Sequence, residues 1–277
     1  MTLQRILGIE LPVIQAPMAG VQGNALAVAV SNAGGLGSLP CAMLSPDAMR
    51  NEQAAIRAQA SKPFNVNFFC HAPPTPGAER EAAWRATLAP YYKEYGIDVD
   101  AIPVGPGRMP FSSEAADVLD DFKPAVVSFH FGLPSAELLA RVRAWGAKIL
   151  SSATTVEEAR WLEAHGVNAI IAQGLEAGGH RGMFLSNALT SQVGTIALLP
   201  QMVRAVKLPV MPPAASRMRE VLRLLWRSAQ PAYRSGRLIC SAPRPPRALC
   251  IARRSRARPP ATRRSRTFSQ ADPPAES

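Results

Sequence analysis

Short, nearly continuous apolar runs recur along the first 211 residues, at 13–16, 36–39, 64–69, 125–129, 148–151 and 169–172, with a last one beginning at Leu208. Polar, alanine-rich stretches of helical length separate several of them, at 24–32, 46–60, 135–144, 155–165 and 194–206. Strands that are apolar throughout are buried on both faces, which predicts a parallel sheet covered by helices. Their density predicts an α/β fold of the TIM (β/α)8 barrel type, incomplete, with the seventh strand cut short and the eighth missing. A doubly wound dinucleotide-binding sheet would need GxGxxG after its first strand, opening a helix. Here that position reads Gln15-Ala16-Pro17-Met18-Ala19-Gly20, and Gly34-Gly35-Leu36-Gly37 precedes a strand instead. Gly34 and Gly35 read as a helix C-cap.

Charge changes the picture by dividing the chain. The whole sequence carries a net charge of +11, yet residues 1–211 hold 16 basic and 17 acidic side chains. Residues 212–277 hold 15 Arg, no Lys, three acids and 10 of the 26 prolines. The division predicts two parts, a barrel over 1–211 and a disordered Arg/Pro-rich tail over 212–277. Cys41, Cys70, Cys240 and Cys250 form no CxxC pair and no Cys/His cluster, so neither a disulfide scaffold nor a metal site is expected. No apolar stretch reaches signal or membrane-spanning length, and the expectation is a cytoplasmic protein without a membrane partner. Oligomeric state is not legible.

In a barrel of this kind the chemistry sits just after the strands. Those positions are polar and glycine-rich: Asn65-Val66-Asn67-Phe68-Phe69 at the third run, Ser128-Phe129-His130-Phe131-Gly132 after the fourth, and Ala172-Gln173-Gly174-Leu175-Glu176-Ala177-Gly178-Gly179-His180-Arg181-Gly182 after the sixth. Asn67 and Gln173 each donate and accept, as the edge of an uncharged heteroaromatic ring requires, and flavin is the natural candidate. Gly178 and Gly179 allow close backbone approach. His180, in a long glycine-rich loop, reads as a base or as the partner of an anionic substrate. His130 reads as functional, with a satisfied core residue at the end of an apolar strand as the alternative, Met18 could equally be packing at the mouth, and His165, at a helix end, reads as structural.

Gln15-Ala16-Pro17-Met18-Ala19-Gly20 and these three motifs, in order over residues 1–211, resemble nitronate monooxygenase, formerly called 2-nitropropane dioxygenase. The resemblance implies an FMN-bearing TIM barrel that oxidises alkyl nitronates with O2 to carbonyl compounds and nitrite, without a metal. It also implies that Met18, Asn67, Gln173, Gly178 and Gly179 touch FMN and that His130 and His180 face the substrate, with His180 the base. Related FMN-dependent enoyl-ACP reductases and NADH:quinone reductases share the barrel. Ser128-Phe129-His130-Phe131-Gly132 together with Gly178-Gly179-His180-Arg181-Gly182 favours nitronate oxidation.

The tail departs from that family. After Val210 the family continues into a strand ending in Ala-Ala-Gly-Gly-Ile, and later one ending in Gln-Ile-Gly-Thr, whose amides hold the FMN phosphate. This chain reads Met211-Pro212-Pro213-Ala214-Ala215-Ser216-Arg217. Back-translated and read in the neighbouring frame, residues 211–219 give Ala-Ala-Gly-Gly-Ile-Ala-Asp-Ala, and residues 232–237 give Val-Gln-Ile-Gly-Thr. The expectation is out-of-frame translation after a one-base loss near codon 211. The alternative is a basic tail that binds nucleic acid. Evolved single-strand binders interleave aromatics for stacking, and this tail offers only Trp226, Tyr233 and Phe268. Its DNA binding should therefore fall steeply with salt and show no sequence preference. Discrimination between DNA sequences at physiological salt, measured by filter binding, would contradict that.

Overall fold

The computed structural model describes residues 2–73, 77–99, 101 and 108–212, and the 213–277 tail lies outside the described residues. Its elements run α1 (Leu3–Leu7), α2 (Asn24–Asn32), β1 (Gly37–Pro40), α3 (Pro46–Gln59), β2 (Phe64–Phe69), α4 (Ala78–Glu94), α5 (Ser113–Phe122), β3 (Val126–His130), α6 (Ala136–Ala144), β4 (Lys148–Ala153), α7 (Val156–Ala164), β5 (Ala169–Ala172), a short 3₁₀ turn at Leu189–Ser191, α8 (Thr195–Ala205) and β6 (Val210–Met211). The six strands pair in chain order, β1-β2-β3-β4-β5-β6, and every pairing is parallel. A doubly wound sheet would reverse direction along its order; an unbroken sequential order is that of a (β/α) barrel, of which these strands form an arc.

Most boundaries follow from local chemistry. Side-chain oxygens of Ser45, Ser112, Ser135 and Thr155 each accept a backbone N–H in the first turn of α3, α5, α6 and α7. At the other end of α2, Gly34 has φ +93, its N–H donates to Ser31 O, and Gly35 N–H donates to Val30 O. That pair of bonds is the Schellman termination, so the C-cap expected at these two glycines is present.

Two differences from expectation have physical causes. Residues 13–16 form one parallel bridge, Ile14↔Leu36, and no full strand. Pro12 and Pro17 bracket the segment and offer no N–H, and the Gln15 amide instead bonds Ser38 N and Ser38 O. Helices α4 and α5 were not foreseen. The first contains Pro90 and buries no side chain, so no core-facing stripe marks it in the sequence. The second buries Ala115, Ala116, Val118 and Leu119 behind the Ser112 cap, and that pattern was readable.

The sheet has two faces of opposite character. Phe64, Val66, Phe68, Val127, Phe129, Ile149 and Ile170 pack with Ile56, Leu119, Leu139, Leu162, Leu198 and Met202 of the covering helices. On the other face, Leu36, Val126, Leu150 and Ala169 close on Leu3, Leu7 and Ile9 from the α1 region. Above that apolar layer the same face turns polar. Asn65 Nδ2 bonds Ser38 Oγ at 3.1 Å and Ser128 Oγ at 2.9 Å, and Asn67 Nδ2 bonds Ser128 O at 3.2 Å and Oγ at 2.9 Å. Among the described residues no helix is long and apolar enough to cross a membrane.

Contact between α2 and β1 is so close that a Cβ on Gly37 would stand 2.0 Å from Ala27 O. Gly37→Ala should therefore destabilise the fold by about 1–3 kcal/mol through overpacking, read as a lower urea midpoint; an unchanged midpoint would contradict the packing described.

Candidate active site

The polar face leads to the carboxyl ends of the strands, where four segments meet. Phe69 ends β2 and His130 ends β3, directly paired in register. The chain then turns through Phe131 (φ +68) and Gly132 (φ +88), and Ser151 Oγ donates to Gly132 O at 2.8 Å to hold the turn. A left-handed phenylalanine persists only where its surroundings impose it. The result is a cluster of rings, with Phe69 5.7 Å from His130, 5.4 Å from Phe131, 5.3 Å from His180 and 6.1 Å from His71.

His180 belongs to the long loop after β5, and that loop is anchored at many points. Gln173 Nε2 donates to His180 O at 2.7 Å, while Gln173 Oε1 accepts Gly182 N–H at 2.7 Å. The His130 ring bonds the same carbonyl through Nε2 at 2.8 Å, and its Nδ1 lies 2.5 Å from Ser152 Oγ. A carbonyl only accepts, so Nε2 carries a hydrogen, and in the neutral ring Nδ1 accepts from the Ser152 hydroxyl. Gly182 passes so near that a Cβ there would sit 2.5 Å from His130 Cε1. Arg181 reaches Leu175 O and Gln192 Oε1.

Two carboxylates complete the support from behind. Glu158, 1% exposed, accepts Thr154 N–H and hydroxyl at one oxygen and Phe184 N–H and Leu185 N–H at the other. Glu176 accepts Thr195 N–H at the start of α8 at 2.8 and 3.0 Å. Burial works against its charged form, and the hydrogen bonds from its own and the Thr195 backbone and the Thr195 side chain, with Arg181 nearby, outweigh that and hold it below the usual carboxylate range. Gly174 has no room for a side chain, since a Cβ there would meet Thr195 N at 2.2 Å. Gly178 and Gly179, by contrast, face open space, and Gly179 has φ +82.

Both mouth histidines favour the neutral form. Burial lowers the His130 pKa first, and the His180 ring adds to it, partly opposed by the bond to the His180 carbonyl and by Glu158. His180 is lowered by partial burial, then by the positive fields of Arg108 and His71.

The structure thus brings His130, His180, Gln173 and Asn67 to one mouth and leaves Gly178 and Gly179 free along the loop. Met18 lies half-exposed in the loop after the Ile14 bridge, which approaches Met43. His165 stacks on Trp161 at 3.7 Å at the end of α7, a structural role as expected. Sequence reasoning missed Ser152, Glu158 and the walls formed by Phe69 and Phe131. Thr155-Val156-Glu157-Glu158 is legible as a capping box, but it signals a helix start and says nothing of the carboxylate's reach to Phe184.

A sequential parallel barrel with neutral histidines and backbone-open glycines at the carboxyl ends of its strands is the architecture of a barrel enzyme. The family described as nitronate monooxygenase matches residues 1–241. The chain belongs to that family. It is 47% identical over 210 residues to a nitronate monooxygenase of Paraburkholderia phytofirmans, covering 74% of this chain and 56% of the relative. Identity to a nitronate monooxygenase of Pseudomonas aeruginosa is 42% over 208 residues, covering 74% of this chain and 59% of that protein. The chain therefore spans a little over half the length of these relatives. Among solved structures, a nitroalkane oxidase from Streptomyces ansochromogenes is similar at TM-score 0.70 and 37% identity, over 82% of this chain and 64% of that one. FabK from Thermotoga maritima is similar in fold, at TM-score 0.59 and 24% identity, over 82% of this chain and 58% of that one.

Because His130 binds protons less readily folded than unfolded, the unfolded chain takes up the extra proton as pH falls, and stability is lost below the ordinary histidine value of about 6.5. Urea midpoints measured from pH 7.5 to 5.5 should decline, and less steeply in His130→Gln; equal slopes would contradict the buried neutral ring.

Proposed function

We propose that this barrel binds FMN across the mouth and that its family chemistry is the oxidation of alkyl nitronates with O2 to carbonyl compounds and nitrite. The observation that carries the reading is the His180 ring, presented beside Phe69 and Phe131 on a backbone held by both His130 and Gln173.

The residues present fit the flavin's ring and ribityl portions. Met18 offers an exposed apolar surface, Asn67 lies on the polar inner face, and Gly178 and Gly179 leave open space for close backbone approach. Gln173 spends Oε1 and one N–H on the loop, which leaves its second N–H for the cofactor. When bound, the flavin supplies the electron acceptor that couples nitronate oxidation to O2. The protein's share is positioning and proton management. The nitronate arrives already deprotonated; the neutral His180 ring donates its N–H to the nitronate oxygens, and its other nitrogen can take the proton from a neutral nitroalkane and so form that anion in place. Both nitrogens of His130 are engaged, so it acts as a positioning residue that keeps His180 in place. Phe69 and Phe131 exclude water around the anion.

For the chain beyond residue 211 we keep the frame-shift reading. The stretch aligned with the Paraburkholderia protein is 210 residues long and covers 74% of this chain, and the family match runs to residue 241. Without the turns that would clamp the phosphate, FMN binding loses several charge-assisted hydrogen bonds of about 1.5–3 kcal/mol each. The 277-residue chain should therefore shed FMN during gel filtration, and stoichiometric retention would contradict that. Restoring one base at codon 211 should yield a yellow protein that consumes O2 with propyl nitronates, and His180→Ala in that protein should lose about 100-fold or more in turnover. Near-normal turnover in His180→Ala, with loss in His130→Ala, would reverse the two roles.

A further inference from the structure

The segment 108–111 is fixed by its own bonds. Pro110 pairs in parallel with Phe69, Phe111 N–H donates to Phe69 O at 2.7 Å, and Met109 N–H donates to Ala42 O at 3.1 Å. The Phe111 ring is buried and packs 4.7 Å from Phe68 and 5.4 Å from Phe129. Arg108, two residues before Pro110, begins this anchored segment, whose pairing partner Phe69 has its ring 5.3 Å from His180. Arg108 is exposed, and no carboxylate pairs with it among the described residues.

His71 stands on the rim of the mouth, 6.1 Å from Phe69 and 5.9 Å from Phe131, and its Nδ1 is shielded from water without a hydrogen-bond partner. An unpaired buried ring nitrogen is costly unless something else satisfies it. The carboxylates nearest this loop, Glu158 and Glu176, are committed to backbone N–H groups behind it. The rim thus gathers a guanidinium and two imidazoles around aromatic walls.

We infer that Arg108, with His71 and His180, forms an anion seat at the mouth that captures a planar oxyanion and orients it toward the reaction centre. The inference deepens the nitronate reading and rests on it for the identity of the natural ligand. A guanidinium presents two parallel N–H donors, the geometry that matches a planar pair of oxygens. Arg108 also helps keep His180 unprotonated, so one side chain both attracts the anion and maintains the base. The groups facing His180 are Arg108 and His71 from the rim and His130 from β3, whose ring bonds the His180 carbonyl.

Nitrate, a planar oxyanion that is not oxidised, tests the seat on the full 277-residue chain without flavin or turnover. Titrated at low ionic strength and followed by the imidazole NMR signals, nitrate should shift His180 and His71 saturably and leave His165 unmoved. Arg108→Gln should weaken nitrate binding about tenfold, the loss of one charge-assisted pair, and should raise the pH at which His180 titrates. Arg108→Lys should recover part of both effects. Arg204→Gln, an equal charge change in the last turn of α8, should leave nitrate binding as it was. Equal nitrate binding with and without the Arg108 guanidinium, or equal losses in Arg108→Gln and Arg204→Gln, would overturn the seat. If nitrate binding depends on Arg108 while the frame-restored protein fails to oxidise nitronates, the seat stands and the nitronate reading falls.

Discussion

Two N–H groups, one from His130 and one from Gln173, converge on the single carbonyl oxygen of His180. This convergence fixes the backbone at the tip of a loop that would otherwise sample many conformations. The fixed point then determines the rest of the mouth. Gly182 must be glycine to pass His130, Ser152 must lie beneath His130 to accommodate Nδ1, and the His180 ring is left facing Phe69 and Phe131. The reactive side chain stays free because its main chain is held.

Such an arrangement asks the barrel to bury polar groups. Asn65, Asn67 and Ser128 occupy an inner face where leucine or valine would otherwise fill the space, and Asn65 Oδ1 is left without a partner. An unpaired buried carbonyl costs about 1–3 kcal/mol. The apolar layer beneath, where Leu3 and Leu7 meet Leu36, Val126 and Leu150, and the larger core under the helices supply the offsetting burial. The fold therefore separates its tasks along the strand axis, stability at the floor and covering layer, chemistry at the carboxyl ends.

How much of this was legible depended on the kind of interaction. Ala169–Ala172 was read at its observed bounds as a continuous apolar run, and Phe64–Phe69 through the phenylalanines at its two ends. Helix α4 was invisible because it buries nothing and so has no periodic stripe. At the site, His180 and Gln173 stood out through the glycine-rich loop they share. The pairing of His130 with Ser152 did not, since the two are 22 residues apart and meet only because β3 and β4 are neighbours in register. Glu158 was missed: the spacing Thr155 to Glu158 marks only a helix start, and the carboxylate's bonds to Phe184 and Leu185 depend on how the loop returns across α7.

The central claim is that a neutral His130, hydrogen on Nε2, holds the His180 carbonyl. Nitrogen-15 NMR of the ring at pH 7.5 tests it most directly. The account predicts a neutral ring with hydrogen on Nε2, that hydrogen exchanging slowly with solvent, and Nδ1 shifted as a hydrogen-bond acceptor. A ring with its hydrogen on Nδ1, or an Nε2 hydrogen exchanging as fast as in a free imidazole, would contradict it.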